Sequence, residues 1–147
     1  MGFTNRGFSR ILVAVDGSKS AMDAVDYAID MAKKFNAQLT TLTVSHISGF
    51  ASLPDAIKQS KEKHALESKQ WFDKVSQNAK QNDVQIKTEL IDSQMSVDGT
   101  IVEYAESHDI DLIILGTKGR SGIKKLLLGS VATAVVKYAT CPVMVVK

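Results

Sequence analysis

The segment 116–130, GTKGRSGIKKLLLGS, combines four glycines with four cationic side chains and contains no acidic residue. Glycine lets main-chain N–H groups approach a ligand without an intervening Cβ, or adopts positive φ. Gly129 and Ser130 stand where a helix is predicted to begin, and the amides of a helix N-terminus favour an anion. The Ser130 hydroxyl can donate to a phosphate oxygen or can cap the helix instead. The segment therefore predicts a polyphosphate ligand, and a merely solvated loop is the alternative.

Two common phosphate motifs do not fit this segment. A Walker loop needs Gly-Lys-Ser/Thr at its end, but the sixth position is Ser121 when counted from Gly116 and Lys124 when counted from Gly119. The dinucleotide fingerprint needs Gly-x-Gly, whereas the glycines here begin as Gly116-x2-Gly119. The cations Lys118 and Arg120 would add a positive field around a bound anion.

A second segment, Asp16-Gly17, could contribute to the same ligand site, and like the segment 116–130 it follows an apolar run. The run RILVAV at residues 10–15 is typical of a strand buried on both faces, and it ends at Asp16-Gly17, which can also be a simple turn. The predicted strands are residues 10–15, 38–44, 84–91, 112–115 and 143–147. The alternation with helices predicts an α/β fold, an open five-stranded and mainly parallel sheet with helices on both faces. Ligands of such sheets bind at the carboxyl ends of strands.

Helical periodicity predicts the residues that face the core. The predicted helices begin at Ser18 or Ser20, near residue 57, at Ser96 as a cap, and near Ser130. The expected inward residues are Ala21, Ala24, Val25, Ala28 and Ala32; Ala65, Ser68, Phe72, Val75 and Ala79; Ile101, Tyr104 and Ala105; and Val131, Ala134, Val135 and Tyr138. Strict alternation at 84–91 predicts a strand near a sheet edge.

Composition limits the alternatives. The chain of 147 residues, 44% hydrophobic, predicts a single domain over 1–147, and a net charge of +2 is too small to indicate nucleic acid. The lone Cys141 excludes an internal disulfide, and the three histidines match no metal-ligand motif. No apolar run is long enough to span a bilayer and no signal peptide is recognisable, so we expect a cytoplasmic protein with no membrane partner.

Three segments together resemble the universal stress protein family, in its ATP-binding branch. They are the spacing Gly-x2-Gly-x9-Gly-Ser, the opening ILVAVDGS and the ending GSVATAVVKYATCPVMVVK. The resemblance covers essentially the whole chain. It implies the Rossmann-like strand order 3-2-1-4-5, which places the ends of the first and fourth strands side by side.

The resemblance also implies the cofactors ATP and Mg²⁺ and a binding site. It implies adenine beside Ala14 and Val44, and Asp16 near the ribose or a phosphate-bound Mg²⁺. The full predicted binding set is Ala14, Val15, Asp16, Val44, Gly116, Thr117, Lys118, Gly119, Arg120, Gly129, Ser130 and Val131. It further implies a homodimer through the last strand, with which the apolar run PVMVV agrees.

The leading hypothesis is thus an ATP-binding regulatory protein of the stress response, with slow or no hydrolysis and protein partners that the sequence does not identify. No catalytic residue is predicted, because no His or second carboxylate is placed by the sequence to activate Ser18 or Ser20. A slow ATPase and a nucleotide-independent interaction protein of the same fold are the alternatives.

Overall fold

The computed structural model describes residues 7–47, 54–117 and 128–147. Strands and helices alternate along the chain as β1 (Arg10–Ala14), α1 (Lys19–Phe35), β2 (Gln38–His46), α2 (Pro54–Gln81), β3 (Ile86–Ser93), α3 (Val97–Ser107), β4 (Leu112–Gly116), α4 (Ser130–Tyr138) and β5 (Val143–Val146). The strands form one sheet in the order β3-β2-β1-β4-β5, and every neighbouring pair is parallel. The predicted fold class and strand order are confirmed.

The sheet is covered on both faces, as the apolar strands predict. In β1, Ile11, Leu12 and Val13 are fully buried, so neither face of this strand meets solvent. The helices α1 and α2 pack on one face of the sheet, and α3 and α4 pack on the other. The β3 strand lies at an edge, in agreement with its alternating sequence.

Side-chain caps set where two helices begin. Ser18, not Ser20, is the N-cap of α1, and its Oγ accepts a hydrogen bond from the Ala21 amide at 3.2 Å. Ser96 caps α3 in the same way, with the Gly99 amide at 3.2 Å. These caps satisfy amides that would otherwise lack an intrahelical acceptor. The first cap also fixes the turn that connects the end of β1 to α1.

Two predicted inward positions are exposed, one within α2 and one at the end of α4. Ala65 is exposed, and the adjacent His64 makes the contact with β2 and β3 instead. The 28 residues of α2 span about 42 Å, whereas the nine-residue β2 spans about 30 Å. The first part of α2 therefore extends past the sheet. Tyr138 is 60% exposed instead of buried, because α4 ends at this residue and the extended backbone of Ala139 leads away to β5. Ala132, which the periodicity did not indicate, is buried in its place.

Two strands run further than predicted. The sequence pattern ends the second and third strands at residues 44 and 91, but β2 continues to His46 and β3 to Ser93. Ser45 and Asp92 are consequently paired neighbours at the carboxyl edge of the sheet.

Candidate functional site

A cavity of about 290 Å³ opens at the carboxyl ends of β1 and β4. The chain from β1 crosses to β2 on one side and β4 lies on the other, so the cavity occupies the point where the strand order reverses. Its described lining is Ala14, Val15, Asp16, Ala21, Leu42, Val44, Val97, Ile101, Leu115, Gly116, Thr117, Gly129, Ser130, Val131 and Ala132. The structure thus brings nine of the twelve predicted binding residues to one place. Lys118, Gly119 and Arg120 lie outside the described residues.

One side of the cavity is the N-terminus of α4. The N-cap is Gly129, with φ −61° and ψ 159°, and no side chain in the described ranges caps this helix. The Gly129 amide donates to the Thr117 carbonyl at 2.6 Å, which holds the helix start against the end of β4. The positive end of the α4 dipole and its first amides therefore lie at the cavity, where they favour an anion.

Asp16, after the end of β1, supplies a carboxylate to the lining of the same cavity. Its Oδ1 accepts a hydrogen bond from the Ser18 amide at 2.9 Å, so the side chain closes a tight turn. Gly17 has φ +83°, a backbone conformation that residues other than glycine rarely adopt. The turn and the ligand interpretations of Asp16 are compatible, since the turn fixes the carboxylate at the cavity wall.

Gly116 has a packing role that the sequence did not reveal. A Cβ at this position would overlap the Ser20 side-chain oxygen and would lie 2.7 Å from the Ser20 carbonyl carbon and oxygen. The first turn of α1 therefore passes directly against the end of β4. Close helix packing accounts for this glycine independently of any ligand.

The remaining wall is apolar. Leu42 and Val44 project to the same side of β2, and Ile101 of α3 and Leu115 of β4 complete the surface. This wall suits a flat, poorly hydrated ring, while the α4 terminus and Asp16 suit the polar part of the same ligand. Sequence reasoning named Val44 but missed Leu42, Ile101 and Leu115. Alternate residues of a strand face the same side, so the prediction of Val44 could have been extended to Leu42.

A second cavity lies beside the first, under α2, and shares Asp16 and Val44 with it. There the Ser45 hydroxyl lies 2.6 Å from His64 Nδ1 and 3.0 Å from Nε2, and Asp92 Oδ1 lies 3.2 Å from Nδ1. A Ser-His-Asp relay needs the carboxylate and the hydroxyl on opposite ring nitrogens, whereas here both oxygens lie closest to Nδ1. We interpret the cluster as a polar attachment of α2 to β2 and β3.

The groups with displaced pKa values lie at the other end of the sheet. Burial raises the pKa of the Tyr104 phenol, and the Glu89 carboxylate adds to this effect. A hydrogen bond to Glu89 raises the pKa of Lys87. Burial also raises the pKa of the Cys141 thiol, which makes it a weaker nucleophile at neutral pH.

Within 7–47, 54–117 and 128–147, no group of three or more His, Cys, Asp and Glu side chains could by itself hold a metal ion. Within the same ranges, no helix is both long and apolar enough to cross a bilayer.

Comparisons with known proteins all point to one family and cover nearly the whole chain. The family model described as the universal stress protein family matches residues 7–147. A universal stress protein of Methanocaldococcus jannaschii is 37% identical over 95% of this chain and 82% of its own length. The structure of a universal stress protein from Lactobacillus plantarum superimposes with a TM-score of 0.87 at 30% identity, covering 97% of this chain and all of that one. A universal stress protein solved in complex with cAMP gives a TM-score of 0.66 at 26% identity, covering 95% of this chain and 97% of its own.

Proposed function

The chain belongs to the universal stress protein family, and on that premise we propose that it binds ATP, with Mg²⁺, in the cavity between β1 and β4. In this proposal residues 1–147 act as one nucleotide-binding domain that presents a nucleotide-dependent surface to partners in the stress response. The lone Cys141 is compatible with work in the reducing cytoplasm.

One observation carries the proposal. The start of α4 at Ser130, the Asp16 carboxylate and the apolar wall around Val44 all line the same cavity. A ligand that satisfies all three has an anionic end, a polar middle and a flat apolar end, and an adenine nucleotide has this composition. The similar protein solved with cAMP supports the adenine nucleotide class.

The proposed binding residues fall into three groups, according to the part of the nucleotide that each would contact. Ala14 and Val44 would contact the base, and Asp16 would hold the ribose or the cation. The phosphate contacts would come from Gly116, Thr117, Lys118, Gly119, Arg120, Gly129, Ser130 and Val131. Mg²⁺ is commonly held by one carboxylate together with phosphate oxygens and water, so a single Asp16 fits a cation that arrives with the nucleotide.

Hydrolysis is expected to be slow or absent. It needs a positioned water and a group that orients it. Asp16 is the carboxylate in the described lining of the cavity, and its Oδ1 already accepts the Ser18 amide. Phosphate release under excess ATP tests this point. Turnover of about one per second, abolished in Asp16→Ala, would establish the ATPase alternative instead.

Substitution of Gly129 tests binding at the α4 terminus. The φ of −61° at this N-cap is accessible to any residue, and Asp or Asn would add a favourable cap. We expect Gly129→Asp to weaken ATP binding at least about tenfold by charge repulsion, with unchanged or higher thermal stability. Gly129→Asn is the control, because it adds the same cap without the charge. Equal ATP affinity in both variants by calorimetry would place the phosphates elsewhere, and no binding by the wild type would favour the interaction-protein alternative.

The proposed homodimer uses the edge of β5 that faces away from β4. This strand ends the sheet, and Val136 and Tyr138 on the preceding helix are 49% and 60% exposed. The Pro142 carbonyl accepts from Ile113 of β4 and the Val146 carbonyl from Thr117 just after it, so by alternation the N–H of Val145 points to the edge. Val145→Pro would block pairing across that edge without removing a bond to β4. We expect a dimer for the wild type and a monomer for this variant in sedimentation; an unchanged mass would refute the β5 interface.

A further inference from the structure

A chain of two hydrogen bonds connects α2 to the end of β1. The Trp71 Nε1 donates to Thr43 Oγ1 at 2.9 Å, and the Thr43 hydroxyl donates to the Val15 carbonyl at 2.8 Å. The second bond is buried, and Thr43 is 7% exposed. Val15 immediately precedes Asp16, so the chain of bonds ends at the turn that presents the carboxylate to the cavity.

The Trp71 ring also contacts this turn directly. A Cβ placed on Gly17 would lie 2.6 Å from Cζ3 and 2.7 Å from Cε3 of the indole. The ring therefore covers the Gly17 Cα. The turn 15–18 is thus held from the α2 side by one hydrogen-bond chain and one packing contact, although none of these α2 atoms lies in the lining of the first cavity.

We infer that Thr43 and Trp71 are positioning residues for the turn 15–18, and that through them the docking of α2 is coupled to nucleotide occupancy. The inference rests on the site proposed above. Coupling between two sites is reciprocal: if the α2 contacts raise the affinity of the turn for nucleotide, bound nucleotide must stabilise the docking of α2 by the same factor.

The first half of α2, residues 54–67, is suited to change its docking in response to bound nucleotide. No residue from 54 to 67 is buried, and Leu66 is 71% exposed. The described attachment of this part to the sheet is the polar contact of His64 with Ser45 and Asp92. Segments with few buried apolar contacts open at low free energy, so a modest change at Trp71 can shift their population.

Thr41 provides a matched control for Thr43. It lies two residues earlier on the same side of β2, is fully buried, and its Oγ1 has no hydrogen-bond partner among the described residues. Thr41→Val therefore removes a hydroxyl that makes no described bond. Thr43→Val removes the same atom together with its two hydrogen bonds, to the Val15 carbonyl and from the Trp71 N–H.

The experiment measures ATP affinity by calorimetry in folded proteins at one temperature. We expect Thr43→Val to weaken binding about three- to tenfold, and Thr41→Val to stay within about twofold of the wild type. Thr43→Ser keeps the hydroxyl and loses a methyl, so it should restore affinity although it packs less well than valine. A purely structural role would predict the opposite order for serine and valine. Trp71→Phe keeps a ring over Gly17 and should weaken binding as Thr43→Val does.

Hydrogen exchange of the wild type is the measurement that needs no variant. Saturating ATP should slow exchange in peptides covering 62–76 as well as in the turn 15–18. Protection confined to the cavity lining, or equal ATP affinity in Thr43→Val and Thr41→Val, would overturn this inference while the proposed function stands. Failure of the wild type to bind ATP would overturn both.

Discussion

The helices α1 and α2 cover the same face of the sheet but are attached to it differently. The 17 residues of α1 include six buried ones, all of them apolar, and these are distributed from Ala21 to Ala32. The 28 residues of α2 include three buried ones, Ser68, Val75 and Ala79, all in its second half. The difference indicates that α1 is part of the scaffold, whereas the first half of α2 depends on polar contacts at the carboxyl edge of the sheet.

The small residues of α1 explain its attachment. Alanine at four of its six buried positions lets the helix axis approach the sheet closely, and Gly116 permits the contact with Ser20 at its first turn. This close approach brings the Ser18 cap and the Asp16 turn to the cavity. By contrast, α2 contacts the carboxyl edge of the sheet through Trp71 and His64, which are large and carry polar ring nitrogens.

The largest expected effect comes from proline in the two helices. Asp30 of α1 and Lys61 of α2 are both exposed and lie within their helices. Asp30→Pro should lower the free energy of unfolding by about 3 kcal/mol or more, because the break interrupts a helix docked along its length. Lys61→Pro should cost less than about 1.5 kcal/mol, because the residues before it can fray without exposing a core. Denaturant unfolding measures both, with Asp30→Ala and Lys61→Ala as controls. Equal losses would show that the first half of α2 is as firmly docked as α1.

Truncation of apolar side chains within α2 should show the boundary between its halves. Val75 is 1% exposed and Leu66 is 71% exposed. Val75→Ala should cost about 2 kcal/mol through lost burial and a cavity, and Leu66→Ala should change stability by less than about 0.5 kcal/mol. The comparison uses midpoints of denaturant unfolding at a common slope. A large loss for Leu66→Ala would indicate that its side chain is covered in solution, for example by a second copy.

The sequence predicted most of the scaffold and part of the site. Apolar runs and helical periodicity sufficed for the existence of the five strands and for the buried face of α1, because these depend on local pattern, whereas the strand order came from the family resemblance. The contact of Ser45 and Asp92 with His64 could not be predicted, because it depends on the register of β2 against β3 and on strands longer than their apolar runs. The overhang of α2 depends on the relative lengths of helix and strand, and the packing of Gly116 on Ser20 is a tertiary contact. Neither feature can be predicted from the spacing of residues that are close together in the sequence.

An intermediate effect is expected at Gly17, where α2 meets the turn between β1 and α1. Gly17→Ala would place a methyl group against the Trp71 ring and would force an L-residue to φ +83°, at a cost of about 1 to 3 kcal/mol. A double-mutant cycle with Trp71→Leu separates the two causes. Coupling of about 0.5 kcal/mol or more would assign part of the cost to the ring. Additive losses would mean that the backbone conformation alone is responsible, and that Trp71 does not constrain the turn.

The smallest expected effect is at Asp92, the partner of His64. The two side chains are 11% and 24% exposed, and such a partly accessible contact between a carboxylate and an imidazole contributes at most about 1 kcal/mol. Asp92→Asn should therefore change global stability little, but it should speed protease cleavage in the first half of α2, which has no buried residue to hold it. Asp73→Asn, on an exposed position of the same helix, removes a charge without this partner and serves as the control. The difference between the variants should shrink in about 1 M salt if the charge pair is responsible. A difference that salt leaves intact would assign the attachment of α2 to the neutral hydrogen bond between Ser45 and His64 instead.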